Sequence, residues 1–261
     1  MKREDIAMLL CKAGVRPGMS LMVHSSLSGL GYLPNGPYDV IDALRDTLGP
    51  DGTLLAPTHS GQLTDPSGWT NPPVPAEWVE PIRRAMEPFD SVLTPVRNRG
   101  LLPEYLLRIP GVRRSIHPLN STAALGAKAE YFTSTHPLDE TEGIGSPCHK
   151  LYEAGGYVLL LGVGVESCTA LYVADFLADA PHLYRSDVRV LARGPSGEKE
   201  FHKLRRYPIA LRDPAKLLPV FAEANAITET TISDYKLSLL ALAPAIDAML
   251  ARFRENPAWL D

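Results

Sequence analysis

The chain is 261 residues long, 45% hydrophobic and 21% charged, with a formal net charge of -4 and a pI near 6.0. A chain of this size buries a large core without covalent staples, and its mildly acidic balance argues against a general nucleic-acid binder. Cys11, Cys148 and Cys168 are too widely spaced for a disulfide framework or a zinc cluster. The opening lacks the pattern of a signal peptide, and no run approaches the ~20 apolar residues of a membrane span. The expectation is a reduced, cytoplasmic protein of one domain over residues 1–261, with no metal, no nucleic-acid partner and no membrane contact.

Residues 4–13 read as an amphipathic helix closed by Gly14. "SLMVHSS" reads as a strand and "LSGLGYLPNG" as a glycine-containing loop. "PYDVIDALRDTLG" is the next helix, with Val40, Ile41, Leu44 and Leu48 on one face and Gly49 as its C-terminal cap. "GTLLAPTH" is a second strand, so the beginning is a strand–loop–helix–strand unit of an α/β protein. Residues 60–81 carry Pro66, Pro72, Pro73, Pro75 and Pro81 together with Trp69 and Trp78. That composition predicts a long functional loop or lid. A short helix is expected at "LLPEYLLRIPG", another at "STAALGAKAEYFTS", then a loop leading to "SPCHKLYEAG". "YVLLLGVG" is a buried strand, residues 187–207 a hairpin turning at "GPSGE", and "DYKLSLLALAPAIDAMLARFREN" a helical region interrupted at Pro244.

Between these elements lie stretches with chemical content. In "HSSLSGL", at a strand's carboxyl end, hydroxyls and backbone N–H groups suit phosphate oxygens. A polar turn capping the strand uses the same residues. The stretch has no Walker lysine and no GxGxxG. "RRSIHPLNST" gathers arginines with Ser115, His117 and Ser121, a phosphate-binding composition or else a basic helix entry capped by Ser121. Arg83, Arg84, Arg97, Arg99, Arg108, Arg113 and Arg114 cluster locally, which suits a small polyanion. His59 with Asp65, and His136 with Asp139, are possible acid–base pairs or ordinary surface hydrogen bonds. Cys148 and Cys168 lie in loop-like stretches with no evident partner to lower a thiol pKa. In "VESCTALYVADF" a strand passes through a polar turn into a helix, and Tyr172 and Asp175 share one helical face.

In order and spacing, "MVHSSLSGLG", "DALRDTLGPDGTLLAPTHS", "NPPVPAEW", "FDSVLTPVRNRGLLPEYLLRIPGVRRSIHPLNSTAALG", "HPLDETEGIGSP" and "YVLLLGVG" resemble the aminoglycoside 3-N-acetyltransferases. The resemblance implies a three-layer α/β/α fold with a mixed central sheet, acyl-CoA (acetyl-CoA or related) as co-substrate, and a small-molecule amine acceptor. It implies that His24, Ser25, Ser26, Arg114, Ser115 and His117, with Ser121 nearby, line the coenzyme A site. It places His59, Asp65, Trp69, Glu77 and Trp78 on the acceptor side, where acidic residues attract a cationic amine.

One stretch departs from the pattern. The family usually reads Asn-Thr-x-Leu-His-x-x-Glu, with the histidine as presumed base. Here Cys168, Tyr172 and Asp175 stand at the Asn, His and Glu positions. A phenol with an ordinary pKa near ~10 is a poor base at neutral pH, so Tyr172 reads instead as an oxyanion donor. The expected activity is acyl transfer from a coenzyme A or carrier-protein thioester to an amine that is not a typical aminoglycoside. Resistance and biosynthetic roles both stay open. The alternatives are a covalent route through Cys168, an altered use of the thioester, and a silent coenzyme A-binding homologue. An acyl carrier protein is a possible partner, and the oligomeric state is open.

Overall fold

The structure is a computed structural model that describes residues 1–180, 187–194, 196–205, 212–232 and 235–260. The chain opens with α1 (Arg3–Lys12), β1 (Ser20–Ser25), α2 (Pro37–Leu48) and β2 (Thr53–Pro57). After the proline-rich stretch come α3 (Ala76–Ala85), α4 (Leu101–Leu106), β3 (Arg113–Arg114), β4 (Thr122–Gly126), α5 (Ala129–Thr133) and α6 (Pro147–Glu153). Then follow β5 (Tyr157–Leu161), α7 (Tyr172–Ala178), β6 (Arg189–Arg193) and β7 (Lys199–Lys203). The chain closes with α8 (Pro214–Glu223), β8 (Ile227–Ile232), β9 (Tyr235–Ala241) and α9 (Leu242–Glu255).

Seven strands form one mixed sheet in the order β3-β4-β2-β1-β5-β9-β8. The centre, β2-β1-β5, is parallel, and β4, β3, β9 and β8 join antiparallel. β1 is buried along nearly its whole length because both faces are covered. Leu21, Val23, Leu54, Ala56, Leu159 and Leu161 point to one layer, with α1, α2 and α4. Met22, Leu55, Val158, Leu160 and Leu240 point to the other, with α5 to α9. The period of two along each strand builds two apolar cores on one sheet, which is the three-layer α/β/α arrangement with a mixed sheet.

This topology sets the position of the site. From β1 the chain crosses to β2 on one side, and β5 lies on the other side of β1. Their carboxyl ends therefore diverge, and in open α/β sheets ligands bind at such a switch point. A second, two-stranded sheet, β6-β7, is the expected hairpin, although residues 195, 206 and 207 of the expected span lie outside the described residues. It bridges to the proline-rich stretch through Thr64 and Val190.

Three elements differ from expectation. "STAALG" is strand β4 and not the start of a helix, because it pairs with β2 from Thr122 to Gly126. "YKLSLLA" is strand β9 and not helix, since pairing with both β5 and β8 overrides a pattern that short apolar runs leave ambiguous. Helix α9 starts at Leu242 and runs through Pro244 without interruption, because a proline in the first turn removes no intrahelical hydrogen bond. The proline-rich stretch also contains a helix, α3, with Pro81 inside it and no buried residue.

Candidate active site

His24 is the penultimate residue of β1, and His59 follows β2 after Thr58. Both imidazoles are buried. Burial holds His24 down at about 3 and His59 well below the usual histidine value, with the positive charge of Arg99 pushing the same way. Arg99 is the common neighbour of the site, because its charge also acts on Glu142 and Tyr172. Glu142 lies in the loop before α6 and is 2% exposed. Its Oε1 accepts a hydrogen bond from Asn120 Nδ2 at 2.5 Å. Burial pushes this carboxyl up to about 7, against the pull of the neighbouring Thr141 and Asn120 side chains and of Arg99 and Arg212.

Tyr172 and Asp175 lie one helical turn apart at the start of α7, and both meet Arg212. The guanidinium carbon stands 4.0 Å from the centre of the Tyr172 ring. The same guanidinium is ion-paired to Asp175, with both side chains fully buried. Asp175 thus holds Arg212 against the Tyr172 ring. The phenol of Tyr172 is raised by burial, with Glu142 and Asp175 adding to the shift and Arg212 and Arg99 opposing it. It stays protonated at neutral pH.

Cys168 is 1% exposed, and burial pushes its thiol up to about 12. The thiolate, not the thiol, is the nucleophile, and burial holds this group as the thiol. Cys148 is likewise buried, its thiol raised well above the ordinary value.

The "RRSIHPLNST" residues are spent on internal bonds. Arg114 Nε donates to Thr58 Oγ1 at 3.1 Å and Ser121 Oγ at 3.0 Å, and its terminal nitrogens donate to the carbonyls of Thr94 at 2.6 Å and Thr58 at 2.7 Å. Arg114 is therefore a brace between β3 and the segment that follows β2. Ser121 Oγ also donates to Thr58 O at 2.8 Å. Ser115 Oγ accepts from Thr122 N and bonds His136 Nδ1, both at 2.9 Å, while His136 Nε2 donates to Thr141 O at 2.8 Å. His117 Nδ1 accepts the backbone N–H groups of Leu119 and Asn120, and its Nε2 donates to Leu138 O at 3.1 Å. The two stacked rings, 4.4 Å apart, clamp residues 138–142 and so fix Glu142. Ser115, His117 and Ser121 are thus held in place by internal hydrogen bonds.

The coenzyme-side residues that remain at a surface are Ser25 and Ser26. Beyond β1 and β5 opens a cleft of about 550 Å³ lined by Ser26, Ser28, Gly162, Gly164 and Lys236. Tyr235 forms its floor and donates to Ser26 O at 2.6 Å. A Cβ on Gly29 would stand 2.4 Å from that ring, and one on Gly162, where φ is +69°, 2.5 Å from it, so glycine at both positions keeps the cleft open.

On the acceptor side, Asp65 is bound by Arg83 through both carboxylate oxygens at 2.8 Å. Trp69 Nε1 donates to Thr64 Oγ1 at 2.9 Å. Glu77 and Trp78 are exposed on α3. The expected pairing of His59 with Asp65 is replaced by the Arg83 bond, and that of His136 with Asp139 by Asp139 bonding His202 and Arg205. The arginine patch also separates into ion pairs: Arg83 with Asp65 and Glu80, Arg108 with Glu104, Arg113 with Glu130. Glu142, Asn120 and Arg212 were not singled out in the sequence, and Arg99 only as a member of the arginine cluster. Glu142 sat among three acids in "DETEG", and Arg212 precedes the Asp213–Pro214 helix start, but neither signal marks burial.

The aminoglycoside 3-N-acetyltransferase family model matches residues 22–254. The chain belongs to this family, and it is an N-acyltransferase. The YokD protein of Bacillus subtilis, an aminoglycoside N(3')-acetyltransferase-like protein, is 36% identical over 203 residues, 77% of this chain and 75% of the relative. Its crystal structure superposes with a TM-score of 0.87 over 98% of this chain and 94% of that one. The aminoglycoside N(3)-acetyltransferase VII of Streptomyces paromomycinus is 35% identical over 99% of this chain and 91% of its own length. AAC-IIIb, solved as a binary complex with CoASH, is 34% identical with a TM-score of 0.80, covering 98% of this chain and 97% of that one. Acyl-CoA is the co-substrate of the family. No helix among the described residues is long and apolar enough to cross a membrane.

Proposed function

We propose that the protein transfers an acyl group from acyl-CoA to a small-molecule amine less cationic than an aminoglycoside, at the carboxyl ends of β1, β2 and β5. The observation that carries this reading is the switch-point cleft at the carboxyl ends of β1 and β5, lined by Ser26, Ser28, Gly162, Gly164 and Lys236. The cleft has the polar hydroxyls and glycine-edged floor that suit a phosphopantetheine arm. Ser26 and Ser28 line it, directly after Ser25 at the end of β1. In the reaction the amine attacks the thioester carbonyl, a C–N bond forms, negative charge develops on the carbonyl oxygen, and the C–S bond then breaks. Tyr172, protonated and fixed by Arg212, donates a hydrogen bond to that oxygen. Removing one such donor typically costs 10²–10³-fold in kcat, so Tyr172→Phe is expected to lose ~10²-fold.

Charge supports the acceptor class. Asp65 and Asp175 are both held by arginines, Glu142 is only partly ionised at neutral pH, and Arg99 and Arg212 act on the same region. With Glu166 on the lining of the cleft, the region suits one cationic centre better than a polycation. The test is amine-dependent release of the coenzyme A thiol from acetyl-CoA, run with gentamicin and with benzylamine and glycine amide. Faster turnover of the simple amines than of gentamicin is expected. Gentamicin as the best acceptor contradicts the acceptor class, and no release with any amine contradicts acyl transfer.

A further inference from the structure

We propose that Glu142 is the general base of acyl transfer, taking the proton from the attacking amine. The inference rests on the acyl-transfer reading and names the group that stands in for the missing histidine. Three observations carry it. Glu142 is almost fully buried, yet its Oε2 makes no hydrogen bond among the described residues, while Oε1 is fixed by Asn120. One oxygen is therefore held by Asn120, and the other is buried with no hydrogen-bond partner among the described residues. The loop that carries it is clamped by His117 on Leu138 O and by His136 on Thr141 O, which is the preorganisation a base needs. Glu142 also belongs to the group around Tyr172: its charge acts on Tyr172 and Cys148, and Arg99 and Arg212 act on it.

The other titratable groups do not fit the task. Tyr172 holds its proton too tightly, and Cys168 is buried as a thiol. His24 and His59 bind protons too weakly to accept one usefully at pH 7. The Glu142 carboxyl, brought by burial to about 7, is matched to the ambient pH, where a general base works best. The step balances simply. The amine nitrogen bonds the carbonyl carbon and gives one proton to Glu142 Oε2. The C–S bond breaks, and Glu142 returns that proton to the departing sulfur, leaving amide and free coenzyme A. An acceptor that arrives as an ammonium ion first releases one further proton to solvent.

Glu142→Gln keeps the shape and removes the base. Thiol release from acetyl-CoA with benzylamine, followed between pH 6 and 9, is expected to fall ~10²-fold or more in kcat, within the range of general-base catalysis. The rise of the native rate through pH ~7 should disappear with it. Because the native carboxylate is ionised against its preference above pH 7, the variant should unfold at the same or a higher temperature at pH 8. A carboxylate with a purely structural part would show the reverse. In the native protein, ¹³C-labelled glutamate spectra should contain one carboxyl that titrates near pH 7 and is missing from the Glu142→Gln spectrum. A variant within threefold of native across the pH range, or a Glu142 carboxyl titrating below pH 5, overturns the proposal while leaving acyl transfer standing. Native protein that releases no thiol with any amine overturns the acyl-transfer reading itself.

Discussion

At the residue scale, Asp175 and Arg212 hold each other in place under full burial. Removing one member of a buried pair leaves the other charged and unpaired, at a cost of about 3–5 kcal/mol. Asp175→Ala should lower the unfolding free energy by that amount in urea titration, and a loss below ~1 kcal/mol would show the pair to be solvated. Cys168→Ser should retain most of the transferase rate, and native Cys168 should resist iodoacetamide, as a buried thiol raised to about 12 does. An acyl adduct on Cys168 in mass spectrometry would reverse that conclusion. Tyr172 and Asp175 were legible as a pair because spacing of three on a helix puts them on one face. What they face was not legible, since Arg212 is contributed from 37 residues away along the chain. Residue type alone did not show the partners of Arg114 and Asp65 either, because Thr58 and Arg83 come from other segments of the chain.

At the scale of elements, the stretch from β3 to β4 and the loop before α6 act as one brace. Arg114 ties β3 to the end of β2, and the His117–His136 stack ties the turn between them to residues 138–142. Arg114→Ala leaves the carbonyl of Thr94 without this donor and that of Thr58 with the Ser121 hydroxyl alone, an orphaned group costing about 1–3 kcal/mol. The expected loss is roughly 1–3 kcal/mol in unfolding free energy, with coenzyme A affinity of the folded variant changed less than threefold in calorimetry. A tenfold weaker affinity with unchanged stability would restore Arg114 to the donor site. The strands of the parallel centre were readable from their continuous apolar runs, because burial on both faces leaves no alternation to find. β4 and β9 were not, because an antiparallel partner supplied by the tertiary fold decided between helix and strand for a short apolar run.

Over the whole molecule, two cores share one sheet, and the site sits where the sheet's parallel strands end. One consequence is acid sensitivity. His24 and His117 are held at about 3 and about 4, and His59 and His136 are also depressed. All four are neutral in the folded protein, whereas the unfolded chain takes up protons below the ordinary value of 6.5. Stability therefore falls as pH drops below 6.5, by up to about 1.4 kcal/mol per histidine per pH unit. Glu142 works the other way between its ordinary 4.5 and about 7, since its folded form binds the proton more tightly, but it is one group against four. The urea midpoint should drop steeply from pH 7 to pH 5, and a flat profile would mean that the histidines are solvated. The central claim is that acyl transfer takes place where β1 and β5 end. The most direct measurement is a crystal structure of the protein with coenzyme A. The pantetheine arm is expected in the cleft beyond Ser26 and Gly162, with its sulfur about 3–5 Å from Tyr172 or Glu142, close enough for a bound acyl carbon to react. A coenzyme A sulfur placed away from both residues would contradict the account.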